Sequence, residues 1–240
     1  MAEQEVIKHT KKIYNIWGDK KHNIWAKVKE FLLEIIIIVF AVSLSIWFHE
    51  RSEHAHQQKE VEVFLTGLRE DLRKDIREMQ ADKESYQNSQ ASFNYLKSLK
   101  LDQQINKDSL DKYDDYLFNA TGLTPNDGRF EGFKSSGRLG NIENEVLQNE
   151  IVDMYVESIP TLIRSTDYYT SQKAKFLDLY NDNMARLTDS TTNIDKVLTS
   201  PAIYNRAGVL TNITEILERY NICIDKSQKI ISMIDHEFRN

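Results

Sequence analysis

Apolar residues are laid along this chain in two different ways. From Phe31 to Phe48 (FLLEIIIIVFAVSLSIWF) they run nearly unbroken, and Glu34 is the only charged position. From Val61 they return at intervals: Val61, Leu65, Leu68, Leu72, Ile76, Met79, Tyr86, Phe93 and Leu96, in steps of 3 and 4 with two steps of 7. The unbroken run predicts a transmembrane helix, because eighteen helical residues rise about 27 Å against about 30 Å of hydrocarbon. The interval pattern predicts a long amphipathic helix, about 49–101, with near-heptad spacing of the coiled-coil kind. Polar residues such as Lys83 and Gln90 weaken the middle of its stripe.

Short helices are expected between 108 and 136. Asp108 offers a cap for Leu110, Tyr113 and Leu117, and Asp127 and Gly137 offer a start and a stop for a helix of one or two turns. The stretch Thr121–Asn141 holds five of the eight glycines and is the main punctuation of the chain. Helical spacing resumes over 143–186, with Pro160 expected to kink or break it, and again over 201–239 behind Ser200-Pro201. No segment alternates as a strand would. The expected fold is all-α: one N-terminal transmembrane helix followed by an elongated antiparallel helical bundle.

Flanking residues give the span a direction. The three tryptophans are Trp17, Trp25 and Trp47. Trp25 and Trp47 lie 22 residues apart, about 33 Å of helix, and so suit membrane anchoring at opposite interfaces. Residues 1–30 carry seven lysines and a net charge of +3, whereas residues 49–240 carry −8. The positive-inside rule then predicts residues 1–30 in the cytoplasm, 31–48 in the inner membrane and 49–240 in the periplasm. Ile13, Ile16, Trp17, Ile24 and Val28 recur as one face of a basic amphipathic helix suited to anionic headgroups. With about thirty residues ahead of the core and no small-x-small site after it, the span reads as an uncleaved anchor rather than a signal peptide.

Composition narrows the chemistry. The 240 residues hold 31 Lys+Arg against 37 Asp+Glu, a net charge of −6 that argues against a nucleic-acid partner. The single cysteine, Cys223, excludes an intramolecular disulfide and any multi-cysteine zinc site. His49, Glu50, Glu53, His54 and His56 lack the i, i+4 histidine pair of a zincin helix and read as a solvated segment at the headgroup boundary. Gly132-Phe133-Lys134-Ser135 lacks the glycine directly before lysine that a phosphate loop requires. No nucleophile elbow, carboxylate pair or cofactor motif stands out, so no catalytic residue, metal ligand or cofactor is expected.

Two places remain as candidate contacts. Glu34, one turn inside the membrane, is a candidate partner contact. Arg129, Phe130, Phe133, Lys134 and Arg138 form a candidate interaction loop, with the alternative that its aromatics anchor a helical turn beneath the bundle. Tyr168-Tyr169 and the pair Tyr113 and Tyr116 offer either groove walls or core-edge packing. Asp108-Ser109-Leu110 and Asp189-Ser190-Thr191 have the form of a short O-glycosylation site.

The order of these features, FLLEIIIIV, IWFHER, FLTGLREDLRKD, then Phe130-x-x-Phe133-Lys134-Ser135-Ser136-Gly137-x-Leu139-x-x-Ile142 and Leu147-x-x-x-Ile151-x-x-x-Tyr155, resembles the uncharacterised membrane-anchored proteins of Bacteroidota known as a domain of unknown function. The resemblance implies an envelope location and a helical outer domain. The function expected from the sequence is a non-enzymatic helical subunit or scaffold of an envelope complex. Its partners would be the lipid bilayer and other membrane proteins or a second copy. The alternative is a sensory or ligand-binding bundle that signals through a partner.

Overall fold

The computed structural model describes residue 11, residues 24–188 and residues 191–238. Among them the protein is all-α, with no strand and one isolated antiparallel bridge, Arg186 to Thr192. The chain divides into two units, Met1–Glu60 and Val61–Asn240. Helix α1, Ile24–Ser98, supplies residues to each.

In the first unit the apolar run of α1 is turned outward. Ile36 is 65% exposed and Phe40 66%, and the most apolar 18-residue window has a mean hydropathy of 2.6 with 6% of the window buried. It is the one helix among the described residues long and apolar enough to cross a bilayer. Trp25 and Trp47 are exposed, and Arg51 lies 5.8 Å over the Trp47 ring. Trp17 and the amphipathic stretch around it fall outside the described residues. Glu34 departs from its surroundings: it is 4% exposed, and Ile38 one turn later is half-buried.

In the second unit the same helix is turned inward. Leu65, Leu72, Met79, Tyr86 and Phe93 are buried at one heptad position, and Val61, Leu68, Asp75, Asp82, Ser89 and Leu96 at the position three residues on. The two rows form one seam, as a 3.5-residue repeat requires. Aromatic side chains carry α1 onto its neighbours. Phe93 meets Phe176 edge-on at 5.1 Å, Tyr86 meets Tyr169 at 5.1 Å, and Phe64 stacks on Phe133 at 4.0 Å.

The remaining elements are α2 (Lys107–Phe118), α3 (Gly128–Ser135), a 3₁₀ turn (Arg138–Asn141), α4 (Glu145–Asp153), a π turn (Met154–Ser158), α5 (Ile159–Asn183), α6 (Ile194–Leu198), α7 (Pro201–Leu210) and α8 (Thr214–Glu237). Helix α5 packs against α7 and α8, and α4 packs against α8. Local chemistry explains most of the ends. Asn106 caps α2 by accepting from Ser109 N–H, and Ser200 caps α7 with Pro201 in its first turn. Gly137 follows α3 at φ 73°, the left-handed conformation that a side chain disfavours.

Two long helices differ from expectation. Pro160 does not break its helix. It follows a π turn that widens the spiral at Met154–Ser158, so the bond that proline cannot donate is absorbed before it matters. The last helical stretch is not continuous: it breaks at Thr211–Ile213 between α7 and α8. The Thr211 carbonyl, freed from the helical ladder, accepts from the Gln90 amide of α1 at 2.7 Å. Gln90, a weak point when read as part of the apolar stripe, thus satisfies the break on a neighbouring element.

Candidate functional site

Polar residues in the α1 seam serve one purpose that local sequence does not announce. Asn119–Asp127 is a nine-residue strap without helix or sheet, so its backbone groups need partners from elsewhere. Helix α1 provides them in order. Asp75 accepts from Asn126 N–H at 3.1 Å and its amide at 2.6 Å, and Glu78 accepts from Thr124 N–H at 2.8 Å. Asp82 accepts from the Thr121 hydroxyl and, at 3.0 Å, from the Tyr220 hydroxyl, while Tyr86 donates to the Thr121 carbonyl at 2.9 Å. Asp75 to Ser89 spans about 21 Å of helix, close to the about 23 Å that extended chain covers from Asn126 back to Asn119. The match in length lets each rung meet its partner. Burial without a cation raises the Asp75 carboxyl above its ordinary range, and the Asn126 bonds pull it partly back.

The upper end of the strap is held by Lys173. Its ammonium donates to the Tyr116 carbonyl at 2.7 Å, to Ser89 Oγ at 3.2 Å and to the Asn119 carbonyl, with the Phe93 ring 5.9 Å away. These carbonyls end α2, where the helix dipole is negative, so a buried cation is matched to them. Among the described residues no carboxylate pairs with it, and desolvation lowers its pKa to about 8. A serine and a lysine at this separation also form the reactive pair of some hydrolases. Here the geometry is that of a clamp. Ser89 gives its own proton to the Tyr116 carbonyl at 2.7 Å, and the two side chains are 5% and 3% exposed, with neither lining the cleft described below.

The five residues of the candidate loop are split by the fold. Phe130 is buried and stacks on Tyr155 at 4.5 Å, and Phe133 is buried against Phe64. Arg129 lies across α1 at Gly67 to bond Asp71 at 2.8 Å; a Cβ on Gly67 would collide with the guanidinium. Lys134 pairs with Glu131 at 3.3 Å and sits 5.4 Å over Phe130. Arg138 is exposed on the 3₁₀ turn. The aromatics therefore point into the core, and the basic groups at the surface. Glu34, the remaining candidate contact, belongs to the first unit and is covered there. Among the described residues no group of three His, Cys, Asp or Glu is placed to hold a metal, and His49, His54 and His56 are exposed. Cys223 is buried in α8, and burial raises its thiol to about 11.

A cleft of about 390 Å³ opens between α5 and the α7–α8 break. Tyr169, Leu210 and Ile216 form its buried floor, Tyr168 and Val209 its exposed rim, and Arg164, Gln172 and Glu215 its polar groups. Tyr169 donates to the Leu210 carbonyl at 3.2 Å, and burial pushes its pKa up to about 12. Reading the sequence named Tyr168 and Tyr169 as groove candidates but neither Arg164 on the same helix nor Glu215 beyond the break, which was not foreseen.

Comparison with protein-family models, curated proteins and solved structures gives no match. What the protein does must therefore be argued from its own chemistry.

Proposed function

We propose that the protein is a non-enzymatic, single-span subunit or scaffold of a cell-envelope complex, with its N-terminus in the cytoplasm and the 49–240 region in the periplasm. The observation that carries this reading is the outward-facing apolar run of α1, in which residues such as Ile36 and Phe40 are about two-thirds exposed. Surfaces of that kind and length are stable in lipid and costly in water. The excess of lysine before the run supports the orientation. The resemblance to membrane-anchored Bacteroidota proteins supports the envelope location. The side chains of the second unit that carry unusual chemistry, Lys173 and Asp82, are spent on holding its own strap, which suits a structural part.

The test is purification of the full chain from native membranes after crosslinking, with the mass measured in detergent. A stoichiometric second protein, or a defined homo-oligomer, is the expected result; a monomer with no crosslinked neighbour overturns the subunit reading. Protease treatment of intact spheroplasts should remove a C-terminal tag and spare an N-terminal one. The reverse pattern would invert the orientation.

A further inference from the structure

From the cleft between α5 and the α7–α8 break, we infer that the protein binds a free α-amino acid. This goes beyond the subunit reading and stands without it. Two bonds set the register of the walls. Arg206 donates to the Gln172 carbonyl oxygen at 3.4 Å, and Tyr169 bonds Leu210, so α5 read backwards runs alongside the chain read forwards. Arg164 lies eight residues before Gln172 on α5 and Glu215 nine beyond Arg206, so the two charges meet at the same end of the cleft.

These charges do not bond each other. Arg164 donates to Thr161 Oγ1 at 2.7 Å and Glu215 accepts from Arg219 at 3.4 Å, each of them using only part of its capacity, and no ion pair joins the two among the described residues. An arginine and a carboxylate that share a cleft mouth without pairing match the carboxylate and ammonium of one zwitterion. The floor of Leu210 and Ile216 then receives an apolar side-chain stem. At the far end, about 12 Å along α5, Gln172 is 8% exposed and lines the cleft. Its carbonyl is taken by Arg206, and its NH₂ has no acceptor among the described residues. That NH₂ is open to the cleft rather than sealed away, and an acceptor at the tip of the ligand's side chain would bond it. The cleft volume exceeds that of any single amino acid, leaving room for bridging water.

The experiment is calorimetric titration of the full chain in detergent with each of the twenty amino acids, and with the deamino and decarboxy analogues of the tightest binder as probes of one charge at a time. At least one amino acid should bind with a Kd below about 1 mM. Arg164→Ala and Glu215→Gln should each weaken it about tenfold or more, since each removes a charge-assisted bond. Both residues are exposed, so neither change threatens the fold. The one-charge analogues should bind at least about tenfold more weakly than the amino acid itself. The inference is overturned if no amino acid binds at about 10 mM, if neither substitution weakens binding, or if either one-charge analogue binds as well as the amino acid it derives from. Whether a partner protein co-purifies has no bearing on any of these outcomes.

Discussion

Phe31–Phe48 and Val61–Leu96 belong to one helix, yet their apolar side chains are exposed in one and buried in the other. In the first, apolar residues occupy every face and stand exposed; in the second they keep a heptad and are buried. Hydropathy alone finds the first and nearly misses the second, and periodicity does the reverse. The contrast shows that what a helix faces is written in the spacing of its apolar residues and not in their number.

The largest effect should come from giving the outward-facing run charge it cannot hide. Ile36→Lys with Phe40→Lys adds about 5–7 kcal/mol to insertion at mid-membrane, and the protein should leave the carbonate-resistant membrane pellet. Ile222→Lys, at a position 41% exposed on α8, should leave it there. Loss of both, or of neither, would erase the contrast.

Next is Phe93→Ala, which empties a fully buried site against Phe176 and should cost about 3–5 kcal/mol in denaturant unfolding followed by circular dichroism. Phe40→Ala, at a position 66% exposed, should leave the same curve unmoved.

A smaller effect belongs to Lys173. Its folded pKa is lowered from 10.5 to about 8, so between these values the unfolded chain binds more protons and stability rises with pH. Cys223, raised from 9.0 to about 11, opposes this above pH 9, and the tyrosines Tyr86, Tyr155, Tyr169 and Tyr220, all raised by burial, lower stability above pH 10. The curve should climb by about 0.6 kcal/mol from pH 8 to 9, about 1 from Lys173 less about 0.4 from Cys223, flatten, then fall. Lys173→Met should abolish the climb and keep the fall; a climb that survives would mean another group sets it.

The smallest is Gly67→Ala. Helix propensity should gain about 0.5–1 kcal/mol, while Arg129 is pushed from Asp71 and loses an exposed pair worth about 0.2–1 kcal/mol. The net change is near zero, but Arg129→Ala should then have no further effect. A double-mutant cycle reads that coupling directly.

The all-α fold and the long α1 helix were legible because apolar spacing is repeated over many turns. The buried polar residues were legible only in outline. The two steps of 7 in the α1 stripe, Met79 to Tyr86 and Tyr86 to Phe93, and the step Tyr169 to Phe176 on α5 each skip a position where a member should fall. Asp82, Ser89 and Lys173 fill those gaps and are buried there. The stripe's weak points read from sequence are Lys83 and Gln90, not these three, which are the contacts for another segment. The break at Thr211–Ile213 had no such sign, since its carbonyl is satisfied by Gln90, more than a hundred residues away in sequence. The cleft was hidden because Arg164 and Glu215 share an end only through the antiparallel pairing of α5 with α7 and α8, which local sequence does not announce.

The strap on α1 also governs which insertions the protein can accept. Its bonds to Asp75, Glu78, Asp82 and Tyr86 are made at fixed intervals along a helix. One residue added or removed between Asn119 and Asn126 would shift every later donor past its acceptor and turn alternate side chains to the opposite side. Leu123, 7% exposed, would be carried outward with them. Relatives of this chain should therefore vary in the sequence of that segment while keeping its length.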